Sequence, residues 1–310
     1  PARGTMSYFL SVFHILFLST TSIPISASIP TSALISASMS SAPFDVKNAN
    51  RTLHLAWSAY CSKAALSTWT CQWCSPSLKL ELQEYLNNTV AGTQGYVAVD
   101  YASSRIIVSY RGSKNFANTI LDAKFWQVKA PFGSDDIRVE DGFLQAYMSV
   151  RDATLAGVAA AQAKCGGNCS VLVTGHSLGG AMASMAAAEI AAVGSSRVQL
   201  YTFGSPRVGN QAWTIWARRV LAASNGTPSM RMRRQLDIVP AVPPRSIGYE
   251  HLPTEVWNKH LDGQSDTYIV CNGSGEDESC GDSDETPPFP LDLLHLKPSE
   301  HTRYMGFDGG

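Results

Sequence analysis

Residues 174–181, which read Thr-Gly-His-Ser-Leu-Gly-Gly-Ala, constrain the possible folds of this 310-residue chain more than any other segment. The run before them, residues 171–174, is apolar and rich in β-branched side chains, and residues 182–193 form an alanine-rich helical pattern. A G-x-S-x-G motif between a strand and a helix predicts a sharp turn, which lifts the serine oxygen out at the carboxyl end of a buried strand. The sequence therefore predicts that Ser177 is a nucleophile; the alternative is a tight turn with an incidental serine.

The residues around this serine suit the same turn. Gly175 and Gly179 allow the strand and the helix to approach closely, where a Cβ atom would clash. Leu178 follows the serine at the N-terminal end of the helix after the turn, so its backbone N–H points to where an oxyanion would form. We expect Leu178 to be one donor of an oxyanion hole.

Predicted strands and helices alternate along most of the chain. The strand patterns lie at residues 96–100 and 105–110, which form a predicted hairpin, and at 171–174, 199–203, 230–236 and 267–271. The helical patterns lie at residues 53–60, 78–86, 143–163 and 182–193. Strand–helix–strand order with short connections predicts an α/β fold with a mostly parallel central sheet and helices on its faces.

A serine nucleophile needs a base, and the base needs a carboxylate to orient it. Asp237 follows the predicted strand at residues 230–236, where folds of this type place their sites; a capping or turn aspartate is the alternative. The histidines further along the chain are His251, His260, His295 and His301. A base from a loop beyond the last strands favours His295 or His301, and spacing alone leaves these two open.

The amino-terminal stretch differs from the rest of the chain. Residues 8–18 are a mostly apolar run of signal-peptide length, and serine and threonine are abundant in the residues that follow. We therefore expect residues 1–44 to be a signal peptide and leader, and residues 45–310 to form one domain. A buried hairpin or an interface helix is the alternative for the leader.

The cysteines and the glycosylation sequons agree with secretion. The seven cysteines are Cys61, Cys71, Cys74, Cys165, Cys169, Cys271 and Cys280. The N-x-Ser/Thr sequons are at Asn50, Asn87, Asn168, Asn225 and Asn272. Cys71 and Cys74 could be half of a zinc site, but a second C-x-x-C is missing, so local disulfides are favoured and no metal is expected.

The charge balance and the hydropathy exclude other classes. Lysine plus arginine number 24 and aspartate plus glutamate 25, giving a net charge of −1. A nucleic-acid partner is therefore not expected, because such proteins carry a basic surface. No run of ~18 apolar residues follows residue 45, so no integral membrane span is expected there.

Several motifs in one order carry a resemblance to a known family. They are Ser109-Tyr-Arg-Gly-Ser113, Asp141-Gly-Phe143, residues 174–181, residues 203–210, Asp237-Ile-Val-Pro240, residues 242–251 and His301-Thr-Arg-Tyr304. Over residues 53–310 the chain resembles the fungal-type class 3 triacylglycerol lipases. Residues 121–127 and the Val-Pro-Pro-Arg run look most like the mono- and diacylglycerol lipase branch.

The resemblance implies an α/β-hydrolase fold with a short helical lid and a catalytic triad of Ser177, Asp237 and His301. It selects His301 because the family's H-x-x-[YF] pattern matches His301 and Tyr304. It also implies that Ser113 is the first oxyanion donor, paired with Leu178. No cofactor is implied. The substrate implied is an acylglycerol at a lipid–water interface, and a secreted monomer is expected.

The resemblance further implies that residues 114–121 are a lid, with Phe116, Ile120 and Leu121 on one apolar face. An ordinary surface helix packed on the core is the alternative. Thr119 stands where the family usually has a tryptophan, which argues against strong interfacial activation.

The family's disulfides match this chain in part. Cys71–Cys74 and Cys271–Cys280 resemble two family bonds by spacing. The family's third bond joins an early cysteine, here Cys61, to one shortly past the catalytic histidine, so we expect that partner beyond Gly310. Cys165 and Cys169 have no family counterpart but could bridge each other.

Related activities remain as alternatives at this point. A feruloyl-type esterase and a phospholipase A1 share these motifs, and an inactive lipid-binding homologue belongs to a different class. The apolar lid residues favour long acyl chains over aromatic esters.

Overall fold

The computed structural model describes residues 44–113, 125–194, 197–226, 229–259, 266–281 and 297–309. Apart from its last residue, the predicted leader lies outside the described residues. So do the predicted lid with Phe116, Ile120 and Leu121, and the alternative base His295.

Twelve strands and six α-helices are described in this part of the chain. The strands are β1 (Glu81–Asn88), β2 (Thr93–Asp100), β3 (Arg105–Tyr110), β4 (Gln127–Lys129), β5 (Arg138–Glu140), β6 (Ser170–His176), β7 (Val198–Phe203), β8 (Met230–Arg234), β9 (Glu255–Lys259), β10 (Thr267–Val270), β11 (Arg303–Tyr304) and β12 (Phe307–Asp308). The helices are α1 (Val46–Ser58), α2 (Lys63–Ser67), α3 (Asp141–Met148), α4 (Arg151–Lys164), α5 (Leu178–Ala192) and α6 (Gln211–Ala223).

Eight of the strands form one mixed sheet in the order β1-β2-β3-β6-β7-β8-β9-β10. The pairs from β3 through β6, β7 and β8 to β9 are parallel. The pairs at the two edges, β1 with β2, β2 with β3 and β9 with β10, are antiparallel. The predicted mostly parallel sheet is therefore confirmed.

Helices cover both faces because successive strand residues point in opposite directions. In β6, Val171 and Val173 belong to the apolar cluster that includes the buried residues of α4, α5 and α6. Leu172, between them, belongs to a second cluster with Leu53 and Trp57 of α1. A strand that is buried on both faces has apolar residues at successive positions. This is why residues 171–174 do not alternate between apolar and polar side chains.

One helical prediction was wrong, and another missed a break between two helices. Residues 78–86 were predicted as a helix, but β1 occupies Glu81–Asn88 and pairs antiparallel with β2. The leucines at this sheet edge gave a helix-like spacing, and tertiary pairing decided the conformation. Residues 143–163 form two helices, α3 and α4, because Ser149 bonds through its hydroxyl to Ala146 O and to Thr93 rather than continuing the helix. Strand β9 was not predicted.

The predicted Cys71–Cys74 disulfide is wrong, and Cys61, whose expected partner lay beyond Gly310, pairs within the described residues. Cys61 is bonded to Cys71, with their Cα atoms 6.1 Å apart, because α2 and the following turn bring the chain back. Cys74 is a buried free thiol in the apolar cluster with Trp57 and Leu66. Burial raises the pKa of this thiol, so it behaves as a core residue.

The other four cysteines form two local bonds. Cys271 and Cys280 are joined, as the family spacing implied, and Cys165 is joined to Cys169. The second bond closes the turn between α4 and β6. Among the described residues, no helix combines the length and the apolar character needed to cross a membrane.

Candidate active site

Ser177 occupies the sharp turn between β6 and α5, as the motif predicts. Its backbone has φ 60° and ψ −131°, a conformation that non-glycine residues rarely adopt. A Cβ atom on Gly175 would overlap the backbone of Gly179, and one on Gly179 would overlap the backbone of Tyr110. The two glycines therefore permit the close packing of strand, turn and helix that fixes Ser177.

The side chain of Ser177 is buried but makes no hydrogen bond. The residue is 1% exposed, and its Oγ atom contacts no hydrogen-bond partner in the described part of the chain. Its backbone N–H donates to Phe203 O at 2.9 Å, which ties the turn to the end of β7. An unbonded buried hydroxyl is costly, so its presence indicates a functional role rather than a structural one.

Asp237 and His301 form a buried pair near this turn. His301 Nδ1 lies 3.1 Å from Asp237 Oδ1 and 3.0 Å from Oδ2. Asp237 follows β8, and His301 follows a short 3₁₀ helix at Pro298–Glu300. Gly204, at the end of β7, packs against both: a Cβ atom there would lie 2.9 Å from Asp237 Oδ2 and 3.0 Å from the His301 ring.

Two further donors hold the carboxylate. Tyr304 donates its O–H to Asp237 Oδ2 at 2.6 Å, and Val239 donates its N–H to Oδ1 at 2.9 Å. Burial acts to raise the pKa of the Asp237 carboxyl, but the neighbouring His301 and these hydrogen bonds outweigh it and lower the pKa. Burial and the adjacent carboxylate raise the pKa of Tyr304 well above its ordinary value, so its O–H stays a donor. Asp237 is therefore held as an anion that faces an imidazole.

The two predicted oxyanion donors lie at the same turn. Ser113 comes three residues after the end of β3, and a Cβ atom on the preceding Gly112 would lie 2.8 Å from Ser177 Cβ. Leu178 is the first residue of α5, and the first N–H groups of a helix have no partner within it. The structure thus brings the segments of Ser113 and Leu178 together with Ser177, Asp237 and His301.

Three site residues have no role in the prediction from sequence. The sequence patterns contain Tyr304 in H-x-x-Y, Gly204 in the motif at residues 203–210 and His176 before the serine, but they assign none of them a role. The spacing of His301 and Tyr304 could have indicated a shared partner, since both side chains reach Asp237. The contacts of His176 depend on long-range packing and give no local signal.

The donor groups of the described residues offer one cluster of metal-ligand type, formed by Glu255, Cys271 and Cys280. The two sulfur atoms are bonded to each other, so neither is a thiolate that could bind a metal. This cluster therefore does not fit a metal ion.

The fold and this arrangement define the class of the protein. A mostly parallel sheet carries a strained serine turn after a central strand, an aspartate after a later strand and a histidine near the end of the chain. That is the architecture of an α/β-hydrolase, with its three polar residues in the chain order of that class.

Comparisons with known proteins give the family. Residues 107–247 match the family model described as lipase (class 3). The chain is 33% identical over 248 residues to a lipase of Rhizomucor miehei, an alignment that covers 79% of this chain and 64% of the relative. It is 34% identical over 174 residues to a secreted mono- and diacylglycerol lipase of Penicillium cyclopium, covering 56% of this chain and 54% of that protein.

Solved structures agree in fold. A triacylglycerol lipase described as having a serine protease triad at its catalytic centre superposes with a TM-score of 0.75 at 28% identity, covering 87% of this chain and 97% of that one. A lipase of Rhizopus microsporus var. chinensis superposes with a TM-score of 0.73 at 26% identity, covering 84% and 87%. Residues 107–247 therefore belong to the class 3 lipase family, and the fold of the chain is that of solved lipases. It spans less than two thirds of the length of the two curated relatives named above.

Proposed function

We propose that this protein is a secreted serine lipase that hydrolyses the carboxylic ester bonds of acylglycerols. The buried Asp237–His301 pair beside the strained turn of Ser177 is the observation that carries the proposal. Relatives named as lipases and as mono- and diacylglycerol lipases support acylglycerols as the substrate class.

In this mechanism Ser177 Oγ attacks the ester carbonyl carbon while His301 Nε2 takes the hydroxyl proton. Asp237 accepts the Nδ1–H of His301, which fixes the tautomer with an unprotonated Nε2 and stabilises the imidazolium that forms. The anionic oxygen of the tetrahedral intermediate is held by the backbone N–H groups of Ser113 and Leu178, a contribution worth ~10²–10³ in turnover per donor.

The intermediate then collapses with transfer of the proton. The bond between the carbonyl carbon and the glycerol oxygen breaks, and His301 gives its proton to that oxygen, leaving an acyl group on Ser177. A water molecule attacks this ester while His301 takes its proton. The fatty acid leaves, and the proton returns to Ser177 Oγ.

Secretion is supported by three observations. The apolar run at residues 8–18 has signal-peptide character, two relatives are named as secreted lipases, and three disulfides are present. Four sequon asparagines, Asn87, Asn168, Asn225 and Asn272, are exposed, while Asn50 is half-buried in α1. The first four are accordingly the candidates for glycosylation.

The lid and the physical state of the substrate belong to the same proposal. Residues 114–121, with Phe116, Ile120 and Leu121, would cover the site away from an interface and open at one. A monomer at a lipid–water interface is the proposed working form.

Hydrolysis assays on wild type, Ser177→Ala and Ser184→Ala test the proposal. Ser184 is the matched control, because it is a buried serine about two turns further along α5 whose hydroxyl bonds only to Gly180 O in the described part. Emulsified tri- and diacylglycerol are the substrates, with a soluble short-chain ester, a feruloyl ester and phospholipid vesicles alongside.

The lipase proposal expects release of fatty acid from the emulsions by wild type and by Ser184→Ala, and its loss in Ser177→Ala. Hydrolysis restricted to the feruloyl ester or to the phospholipid would favour the esterase or the phospholipase A1 instead. A folded wild-type protein without activity on any ester would leave the inactive lipid-binding homologue.

A further inference from the structure

A chain of hydrogen bonds joins three segments of the site. The backbone N–H of Gly112 donates to Tyr60 Oη at 3.1 Å, and Tyr60 Oη lies 2.9 Å from His176 Nδ1. His176 Nε2 lies 2.8 Å from the backbone oxygen of His301. This series of hydrogen bonds therefore connects the segment that carries Ser113, through the residue before Ser177, to the backbone of His301.

The direction of each hydrogen bond follows from chemistry. The backbone oxygen of His301 can only accept, so His176 Nε2 must carry a proton and donate it. A neutral imidazole then has its lone pair on Nδ1, which must accept the O–H of Tyr60. The lone pairs of Tyr60 Oη remain to accept the N–H of Gly112. Each hydrogen bond in this series therefore has only one possible direction.

His176 is neutral in this arrangement. Its ring is buried and stacks against the ring of His301, with centroids 4.5 Å apart and planes inclined by 30°. Burial, with the neighbouring His301 as the next cause, lowers the pKa of His176 to about 3. A positive charge at this distance would oppose protonation of His301, so a neutral ring supports that histidine without disfavouring its charged form.

Close packing around Gly112 is a second, independent indication that the segment of Ser113 is held against the turn of Ser177. A Cβ atom there would lie 2.6 Å from Tyr60 Oη, 2.7 Å from His176 O and 2.8 Å from Ser177 Cβ. Such distances are too short for any side chain, so the segment of Ser113 is pressed directly against the turn of Ser177. A small displacement of Gly112 would move the proposed oxyanion donor relative to the nucleophile.

We propose that Tyr60 and His176 are positioning residues, which hold the backbone of Ser113 and the ring of His301 at fixed distances on either side of Ser177. This inference rests on the proposed hydrolytic function of the same site. Neither residue forms a hydrogen bond to Ser177 Oγ or to His301 Nε2. Their effect is geometric: the oxyanion donor and the base are kept in the arrangement that the transition state requires, before substrate arrives.

Tyr60→Phe tests the proposal by removing one hydroxyl group and leaving the ring. The substitution leaves the N–H of Gly112 and Nδ1 of His176 without their partner. We expect kcat on a soluble ester, p-nitrophenyl butyrate below its solubility limit, to fall roughly 10- to 100-fold, with KM within about two-fold of wild type. The loss falls on kcat because the ground-state ester does not need the oxyanion donor.

Tyr96→Phe is the matched control. Tyr96 is a fully buried tyrosine whose hydroxyl bonds to Leu55 O and to Ser58 Oγ, so its removal costs a comparable set of buried hydrogen bonds away from the site. The melting temperatures of the two variants should fall by similar amounts, whereas only Tyr60→Phe should lose kcat. Enzyme concentrations are set by titrating each variant to completion with a phosphonate ester.

The possible results separate clearly. A kcat within about two-fold of wild type in folded Tyr60→Phe overturns the proposal, and so does an equal loss in Tyr96→Phe, which would indicate a general loss of stability. If Tyr60→Phe does not fold, His176→Phe takes its place: it keeps a planar aromatic ring, removes both the donor to His301 O and the acceptor for Tyr60, and should show the same selective loss of kcat. A wild-type protein that is inactive on every ester would contradict the proposed hydrolytic function itself, not only the positioning role of Tyr60 and His176.

Discussion

Two buried polar regions of this protein compensate their buried charges in different ways. Around β8 and β9, arginines meet carboxylates directly: Arg207 bonds to both oxygens of Glu276 at 2.9 and 2.8 Å, and Arg231 lies 2.6 Å from Glu255. At the proposed active site, the carboxylate of Asp237 faces an imidazole, a tyrosine hydroxyl and a backbone N–H, and no arginine or lysine of the described residues bonds to it.

This difference in charge compensation indicates a different role for each region. In the arginine–carboxylate network every charge has an opposite charge, so breaking one pair leaves a buried ion without compensation. In the site the balancing positive charge is absent until His301 takes a proton, which is the step that the proposed mechanism needs. The network should therefore control stability and the site should control rate.

Asp237→Asn is expected to have the largest effect. The amide can donate to His301 Nδ1, which places the proton on Nε2 and removes the base that Ser177 needs. We expect kcat on a soluble ester to fall by ~10⁴-fold with the fold retained, as judged by circular dichroism and thermal unfolding. A kcat within about ten-fold of wild type would contradict the role of Asp237.

Glu276→Ala tests the other region. It leaves Arg207, whose side chain is fully buried, without its bidentate partner, and it removes the acceptor for the N–H of His251. We expect the free energy of unfolding to fall by roughly 3–5 kcal/mol in urea titrations, while kcat of the folded molecules is unchanged.

The control for this variant is Asp135→Ala, which breaks an exposed ion pair with Lys129. It should leave the urea midpoint unchanged, because solvent screens such pairs. Equal effects of the two substitutions would remove the distinction between the buried network and a surface ion pair.

Acid should destabilise the protein through histidines in both regions. Burial, followed by the neighbouring His301, lowers the pKa of His176 to about 3. Burial, followed by Arg231, lowers the pKa of His251 well below 6.5. Below pH ~6.5 the unfolded chain binds these protons and the native state does not, so stability present above that pH is lost as the pH falls towards ~3.

Each histidine contributes a slope of about 1.4 kcal/mol per pH unit in this window. Urea titrations of wild type and His251→Gln between neutral pH and mild acid measure it, with the variant expected to show the shallower dependence. A free energy of unfolding that stays constant across that interval would contradict the neutral, buried histidines.

Tyr304→Phe is expected to have the smallest effect of the four. It removes the 2.6 Å hydrogen bond to Asp237 and leaves the bond to His301 in place. We expect kcat to fall about ten-fold, which corresponds to ~1.4 kcal/mol of transition-state stabilisation. Tyr147→Phe is the control, since it removes a hydrogen bond of similar length, 2.7 Å, from a buried tyrosine to Glu189 outside the site. Equal kcat values for the two variants would argue against a role of Tyr304 in the site.

The sequence predicted the parts of this structure that local chemistry determines. The turn of Ser177 follows from its glycines and from the strand and helix around it, and Asp237 follows from its place after a strand. The choice between His295 and His301 needed the family resemblance, because spacing alone gives both a position beyond the last strands. Residue His295 lies outside the described residues, whereas His301 contacts Asp237.

Features set by distant contacts were missed or wrong. Strand β1 was mistaken for a helix because its pairing with β2, not its own pattern, sets its conformation. Cys71 was assigned the wrong partner because the return of the chain after α2 is not visible in cysteine spacing. The roles of Tyr60 and His176 depend on contacts between residues more than a hundred positions apart, which no local pattern encodes.

Covalent labelling is the most direct test of the central claim that Ser177 is the nucleophile of an ester hydrolase. Wild type, Ser184→Ala and Ser177→Ala are treated with an alkyl p-nitrophenyl phosphonate, and the digests are mapped by mass spectrometry. We predict one adduct per molecule, on the peptide that contains Ser177, formed in step with loss of esterase activity and absent from Ser177→Ala. Stoichiometric inactivation with the adduct on another residue, or ester hydrolysis that survives in Ser177→Ala, would contradict the account.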